Sequence, residues 1–250
     1  MARRTPPYWL LVVQFMLTCN ITASGTSEAE TLLMFKQSLS NTTALDNWNE
    51  SASLCNGDNP NWNGLLCSNG TFYGLKLEAM GLTGLIDLDT LAELPSLRTI
   101  SFMNNRFEGP MPKVNKLGAL RGVYLSNNNF SGEIPNDNFA GMKSMRRVYL
   151  ADNQFTGKIP VSLAELPKLV DLELQNNQFE GQIPDFRQKD LVVNVANNRL
   201  EGPIPAALSN GTASSFVGIG HSIAGHPGYE VLLEVKRQRL IVVPNGGEWA

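Results

Sequence analysis

The stretch "YLSNNNFSGEIP", Tyr124 to Pro135, returns further along the chain as "YLADNQFTGKIP" and "ELQNNQFEGQIP". A chain that keeps repeating one spacing of apolar residue, asparagine, aromatic, glycine and proline must stack copies of one small unit, because each copy alone cannot bury its apolar face. Aligned on the asparagine of L-x-x-N-x-F-x-G-x-I-P, the copies fall at Met80, Asn105, Asn128, Asn153, Asn177 and Asn198, separated by 25, 23, 25, 24 and 21 residues. Each contains an apolar pair two apart: Leu75/Leu77, Ile100/Phe102, Val123/Leu125, Val148/Leu150, Leu172/Leu174 and Val193/Val195. Period-two apolarity predicts a short strand in every copy, with those side chains turned inward.

The other positions answer the needs of a chain that turns sharply after each strand. Backbone groups at the turn cannot all pair within their own coil, so a buried side chain must satisfy them. An asparagine amide offers two donors and an acceptor, and repeated at every coil it builds a ladder. Asn105, Asn128, Asn153, Asn177 and Asn198 are the expected ladder; Asp152, one residue before a ladder position, is expected to face solvent. The next apolar residue (Leu82, Phe107, Phe130, Phe155, Phe179, Leu200) fills the interior. The glycine two residues later permits a tight or left-handed backbone, and proline closes the step with no N–H to leave unpaired. Met80 and Asp87 break the pattern in the first copy, as terminal repeats often do. The period lies within roughly 20–29 residues, the range of leucine-rich repeats, so the chain is read as a solenoid.

Residues 70–208 hold this array. Ahead of it, "SEAETLLMF" sets Ser27 three residues before Glu30, a capping-box spacing, with Leu32, Phe35 and Leu39 on one helical face. Residues 25–69 are therefore expected to form a cap over the exposed core edge of the first coil. Arg3 and Arg4 followed by the apolar run Tyr8–Leu17 and then small residues have the order of a secretory signal, residues 1–24, cleaved within Thr22–Gly25. The run falls short of the ~20 apolar residues of a membrane span; an uncleaved anchor is the alternative. Cleavage would remove Cys19 and leave Cys55 and Cys67, which in an oxidising compartment most economically pair, the alternative being two unrelated thiols. Sequons at Asn41, Asn49, Asn69, Asn129 and Asn210 agree with a secretory route.

Hydrophobic residues at 42% suffice for a core, and a net charge of -3 argues against a general nucleic-acid binder. His221 and His226 have no cysteine or carboxylate partner at metal spacing, so neither a metal nor a cofactor is expected. After Pro205 the repeat stops. "VLLEVKRQRLIVV" fits a strand or a short helix, and residues 209–250 are read as an atypical tail without fixed order, leaving the last repeat around Val193, Val195 and Leu200 partly exposed unless the tail folds back over it.

Outward-facing strand positions define the candidate binding face. The position between each apolar pair reads Lys76, Ser101, Tyr124, Tyr149, Glu173 and Asn194, and the column before it reads Gly74, Thr99, Gly122, Arg147, Asp171 and Val192. Tyr and Arg are enriched at interface hot spots. Tyr124 and Tyr149 with Arg147, Arg106 nearby, and Asp171 and Glu173 on the next strand predict a polarised docking site for a peptide or protein bearing both charges. A glycan on Asn129 would restrict access from one side.

"WNESASLCNGDNPNWNGLLC" resembles the plant-type leucine-rich-repeat N-terminal domain, and the G-x-I-P step resembles the plant extracellular consensus. "LKLEAMGLTGLIDLDTLAELPSLRTISFMNNRFEGPMP", "KLGALRGVYLSNNNFSGEIP" and "LPKLVDLELQNNQFEGQIPDF" resemble the ectodomains of pollen receptor-like kinases across residues 27–216. The resemblance implies an α/β repeat fold: a right-handed solenoid of about six plant-type repeats with a helical, disulfide-stapled N-terminal cap. It also implies a secreted or cell-surface location and recognition of a peptide or small protein signal, with a co-receptor ectodomain as a further partner. Ser214, Ser215 and Phe216 match that family, but "VGIGHSIAG" follows where its members place a cysteine-bearing cap, a membrane helix and a kinase. No glycine-rich nucleotide loop, V-A-I-K lysine or H-R-D segment occurs, so this chain is expected to bind and not to phosphorylate. The alternatives are a soluble inhibitor or scaffold resembling the polygalacturonase-inhibiting proteins, and an incomplete version of a full receptor kinase.

Overall fold

The structure, a computed structural model, describes residues 26–188, 190–209 and 211–219, with the backbone of 229–232 and 241–244. The expected signal segment, Asn210 and both histidines lie outside the described residues. Helix α1 (Glu28–Ser38) opens the chain with the expected capping box: the Ser27 hydroxyl accepts from the Glu30 N–H, and the Glu30 carboxylate accepts from the Ser27 N–H. Its buried face carries Leu32 and Phe35, while Leu39 already lies in the extended C-cap. Strands β1 (Cys55–Asn56) and β2 (Asn59–Pro60) form a small antiparallel pair, followed by β3 (Leu65–Ser68) and β4 (Thr71–Lys76).

The coils then unfold in order. They give β5 (Thr83–Gly84), α2 (Leu88–Ala92), β6 (Thr99–Ser101), β7 (Arg106–Gly109), β8 (Gly122–Tyr124) and β9 (Asn129–Glu133). After these come β10 (Arg147–Tyr149), β11 (Gln154–Lys158), α3 (Val161–Ala164), β12 (Asp171–Glu173), β13 (Gln178–Gly181), β14 (Val192–Asn194) and β15 (Arg199–Leu200). They wind into two sheets. One runs β14-β12-β10-β8-β6-β4-β3, the other β15-β13-β11-β9-β7-β5. Every pairing between coils is parallel, and only β3 runs antiparallel to its neighbour β4, closing the edge of the first sheet. This is the leucine-rich-repeat solenoid read from the period.

The core is one continuous spine. Phe102, Phe107, Phe130, Phe155 and Phe179 are buried and follow one another at ring-centroid distances of 5.7, 6.4, 6.1 and 6.1 Å. Phe35 of α1 stacks on Phe102 at 5.9 Å, so the cap joins the same spine. Trp48 and Trp62 stack at 5.4 Å, the Trp48 indole donates to the Asn63 carbonyl at 2.8 Å, and a disulfide joins Cys55 to Cys67 with Cα atoms 5.9 Å apart.

The asparagine ladder is as expected. Asn128 Nδ2 donates to the carbonyls of Phe102 and Leu125 at 2.9 and 3.0 Å, and its Oδ1 accepts the Phe107 N–H of the preceding coil at 3.0 Å. Asn153, Asn177 and Asn198 accept from Phe130, Phe155 and Phe179 in the same way, and Asn105 accepts from both Met80 and Leu82. Two departures from the pattern have local reasons. Asp87, where other repeats place proline, accepts from the N–H groups of Asp89 and Thr90 as the N-cap of α2. Asp152 is exposed as expected but does more than face solvent: its φ is +55° and its carboxylate accepts from Asn176 Nδ2 at 2.7 Å.

The final repeat is not left open. Val193, Val195 and Leu200 are buried, together with Leu208 and Phe216. The N–H groups of Val195 and Asn197 donate to Ser215 and Val217 at 2.9 and 2.8 Å, so residues 211–217 extend the ladder beyond β14. The "SSF" stretch thus covers the core edge of the last coil. Of that tail, the backbone of β16 (Tyr229–Leu232) pairs antiparallel with β17 (Ile241–Pro244).

Candidate ligand-binding face

Register fixes the site. Across the first sheet Gly74, Thr99, Gly122, Arg147, Asp171 and Val192 are aligned in one row, and Lys76, Ser101, Tyr124, Tyr149, Glu173 and Asn194 in another. The row between them, Leu75, Ile100, Val123, Val148, Leu172 and Val193, is buried. Both outward rows therefore line the concave face, as strand alternation requires.

Tyr124 and Tyr149 meet edge to face, with ring centroids 4.8 Å apart and planes at 85°. The Tyr149 hydroxyl donates to the Asp171 carboxylate on β12. Burial, and next that hydrogen bond, push the Tyr149 phenol well above its ordinary range. The Tyr124 hydroxyl faces the exposed Arg147 guanidinium and holds it above its usual value. Glu173 completes the row. Burial raises its carboxyl, opposed by hydrogen bonds from Gln175 and Asn194 and reinforced by the nearby Asp171 charge.

Gly122 makes this arrangement possible. A Cβ there would lie 2.6 Å from Tyr124 Cε2 and 3.0 Å from its hydroxyl oxygen, so the ring lies back over its own strand. Arg147 is the strand neighbour of Gly122, so the Tyr124 ring, lying over Gly122, leans toward the arginine's strand. Sequence reasoning named the tyrosines and passed over this glycine; the signal was the glycine two residues before tyrosine in "RGVY". The result is a half-buried aromatic pair with a cation at one side and two carboxylates at the other.

Arg106 does not join them. It follows ladder residue Asn105 past the turn and opens β7 of the second sheet, exposed. Asn129 likewise opens β9 of the second sheet, not the edge of the first. Among the sequons, Asn41, Asn49, Asn69 and Asn129 are exposed, and Asn41 Nδ2 also donates to the Gly81 carbonyl at 2.7 Å. Among the described residues, no helix is long and apolar enough to cross a membrane.

Comparison with known proteins agrees with the architecture. The leucine-rich-repeat N-terminal domain model matches residues 26–68 and the leucine-rich-repeat model residues 118–179. Pollen receptor-like kinase 4 of Arabidopsis thaliana is 53% identical over 202 residues, covering 80% of this chain and 30% of that protein. The chain thus spans about a third of the length of the curated relatives it matches. The solved structure of a pollen receptor kinase 3 is 39% identical, covers 76% of this chain and 90% of that one, and superposes with a TM-score of 0.67. The ectodomain of the plant membrane receptor kinase GASSHO1/SCHENGEN3 from Arabidopsis thaliana, in complex with CASPARIAN STRIP INTEGRITY FACTOR 2, is 29% identical. It covers 72% of this chain and 25% of that one, with a TM-score of 0.55.

Proposed function

Since this chain belongs to the pollen receptor-like kinase family of leucine-rich-repeat proteins, we propose that it is an extracellular recognition module for a peptide or small protein signal. The observation that carries this reading is the platform of Tyr124, Tyr149 and Arg147 beside Asp171 and Glu173 on the concave face. Aromatic side chains supply large contact area at low entropic cost, and here both rings are already fixed by their neighbours, so little freedom remains to be lost on binding. The sign change from Arg147 to Asp171 fixes the direction of a ligand that carries both charges. A related ectodomain in complex with a separate factor supports this use of the fold. A co-receptor ectodomain is the second partner of the reading, and the cell surface or the extracellular space its location.

The test is photo-crosslinking of the secreted chain to secreted pistil and pollen-tube peptides, followed by affinity measurement for each peptide captured. Tyr124→Ala and Tyr149→Ala should each weaken a true ligand at least tenfold, the scale of a hot-spot residue. Retained affinity in both variants, with the crosslinks mapping to the second sheet, would move the site elsewhere.

A further inference from the structure

A second charged feature borders the tyrosine platform. The repeats "SLRTIS", "ALRGVY" and "SMRRVY" each place an arginine two residues before the buried centre of the strand, giving Arg98, Arg121 and Arg146. The Arg121 N–H donates to the Arg98 carbonyl at 2.7 Å and the Arg146 N–H to the Arg121 carbonyl at 2.8 Å. The three residues therefore stand in line on consecutive coils, about 4.8 Å apart. Arg98 is partly folded down, donating to the carbonyls of Pro95 and Leu97, whereas Arg121 and Arg146 are exposed.

Three stacked like charges repel, and among the described residues no carboxylate pairs with them. Among the described residues the ion pairs are Lys76–Glu78 and Lys116–Asp89, and neither involves an arginine. The stripe is also bounded. The Arg98 N–H donates to the carbonyl of the exposed Tyr73 at one end, and at the other the Val170 N–H donates to the carbonyl of Arg146, with Val170 38% exposed. Read along the coils, the edge presents an aromatic ring, three cations and then apolar surface.

We propose that this edge docks a short extended peptide segment with two acidic side chains followed by an apolar one. Arginine binds carboxylates in a two-pronged geometry that lysine cannot reproduce. Same-side residues of an extended peptide lie about 6.8 Å apart, so the roughly 10 Å spanned by the three arginines holds acids at i and i+2, and the side chain at i+4 reaches Val170. A uniform polyuronate would instead set further carboxylates over Val170 and against Asp171. The apolar end favours the peptide. This surface is separate from the tyrosine platform and asks for a different ligand chemistry.

Fluorescence anisotropy of the secreted chain with a labelled peptide Ser-Glu-Ser-Glu-Ser-Leu-Ser tests it. Saturable binding that weakens as salt is raised is expected. The double variant Arg121→Ala/Arg146→Ala, with an unchanged melting temperature, should lose roughly three- to tenfold in affinity, as two exposed ion pairs would. Tyr149→Ala should bind this probe as the parent does, which separates the stripe from the proposed signal site. Lysine in place of both glutamates should abolish binding, and serine in place of leucine should reduce it. Absence of saturable binding, equal affinity in the arginine variant, or tighter binding of an oligogalacturonate than of the peptide would each overturn the proposal.

Discussion

The side-chain amide of Asn176 donates to the Asp152 carboxylate at 2.7 Å, from one coil to the next. The same link joins Asn127 to Asn104 at 2.8 Å and Asn197 to Asn176 at 2.8 Å. All these residues have φ between +55° and +59°. A second, exposed ladder therefore runs beside the buried one, built at the left-handed turn where Asn and Asp are the side-chain-bearing residues best tolerated.

Asp152→Ala should consequently destabilise the fold by about 1 kcal/mol, since alanine takes on left-handed strain and the link to Asn176 is lost. Asp152→Asn should melt with the parent. Asn153→Leu should cost more than either, because it strips the carbonyls of Leu125 and Leu150 and the Phe130 N–H of their partner, at ~1–3 kcal/mol for each unsatisfied group. Thermal melts of the three variants check the order; an Asp152→Ala protein as stable as Asp152→Asn would refute the strain argument.

Replacing Cys55 and Cys67 together by serine should lower stability by roughly 3 kcal/mol, the loop-entropy value for a closure of this length. The loss should be confined to the cap, where Trp48 and Trp62 stack. Their fluorescence should red-shift at a lower denaturant concentration than in the parent, and peptide mapping without reduction should recover the two cysteines linked.

Asp87 gives a pH dependence with a definite sign. Its hydrogen bonds with Thr90, side chain before backbone, and with the Asp89 N–H hold its carboxyl below the ordinary value against the opposing effect of burial. A carboxylate with a depressed folded value adds stability above its unfolded value and loses it as pH falls through the folded one. Asp87→Ala should therefore cost about 1 kcal/mol at neutral pH, as a lost N-cap does. The gap between parent and variant should close in acid, below the ordinary range of an aspartate. A gap that stays constant from neutral to strongly acidic pH would show that the effect is packing and not the cap.

Tyr149 offers a direct probe of the platform. In an alkaline absorbance titration it should ionise above the ordinary tyrosine range, because burial and the Asp171 bond both oppose the phenolate. Asp171→Asn should bring that step down while leaving it above the ordinary tyrosine range, since burial remains. Tyr149→Phe should remove the step. Gly122→Ala should displace the Tyr124 ring and change the near-ultraviolet circular dichroism of the pair, with little loss of core stability.

Repetition made the fold legible in the sequence. The spacing of Asn105, Asn128, Asn153, Asn177 and Asn198, with the paired apolar residues before each, imposes one strand and one turn per coil, and stacking is the only way to bury those faces. The outward rows followed from strand alternation alone, so Tyr124, Arg147, Tyr149, Asp171 and Glu173 could be named in advance. The second ladder was not read from the sequence, where Asp152 stood only as a solvent-facing position; its left-handed turns and coil-to-coil links emerged from the structure. Tertiary structure decided what periodicity does not encode. Arg106 went to the other sheet because the chain turns just after Asn105, and Tyr124 leaned over Gly122 toward Arg147 because no side chain stands there. The arginine stripe exists only once the coil-to-coil register sets Arg98, Arg121 and Arg146 in line, residues far apart along the chain whose alignment is fixed by backbone hydrogen bonds between coils. Closure of the last coil by Phe216 likewise depends on a ladder running past the final strand, where the repeat has already ended in the sequence.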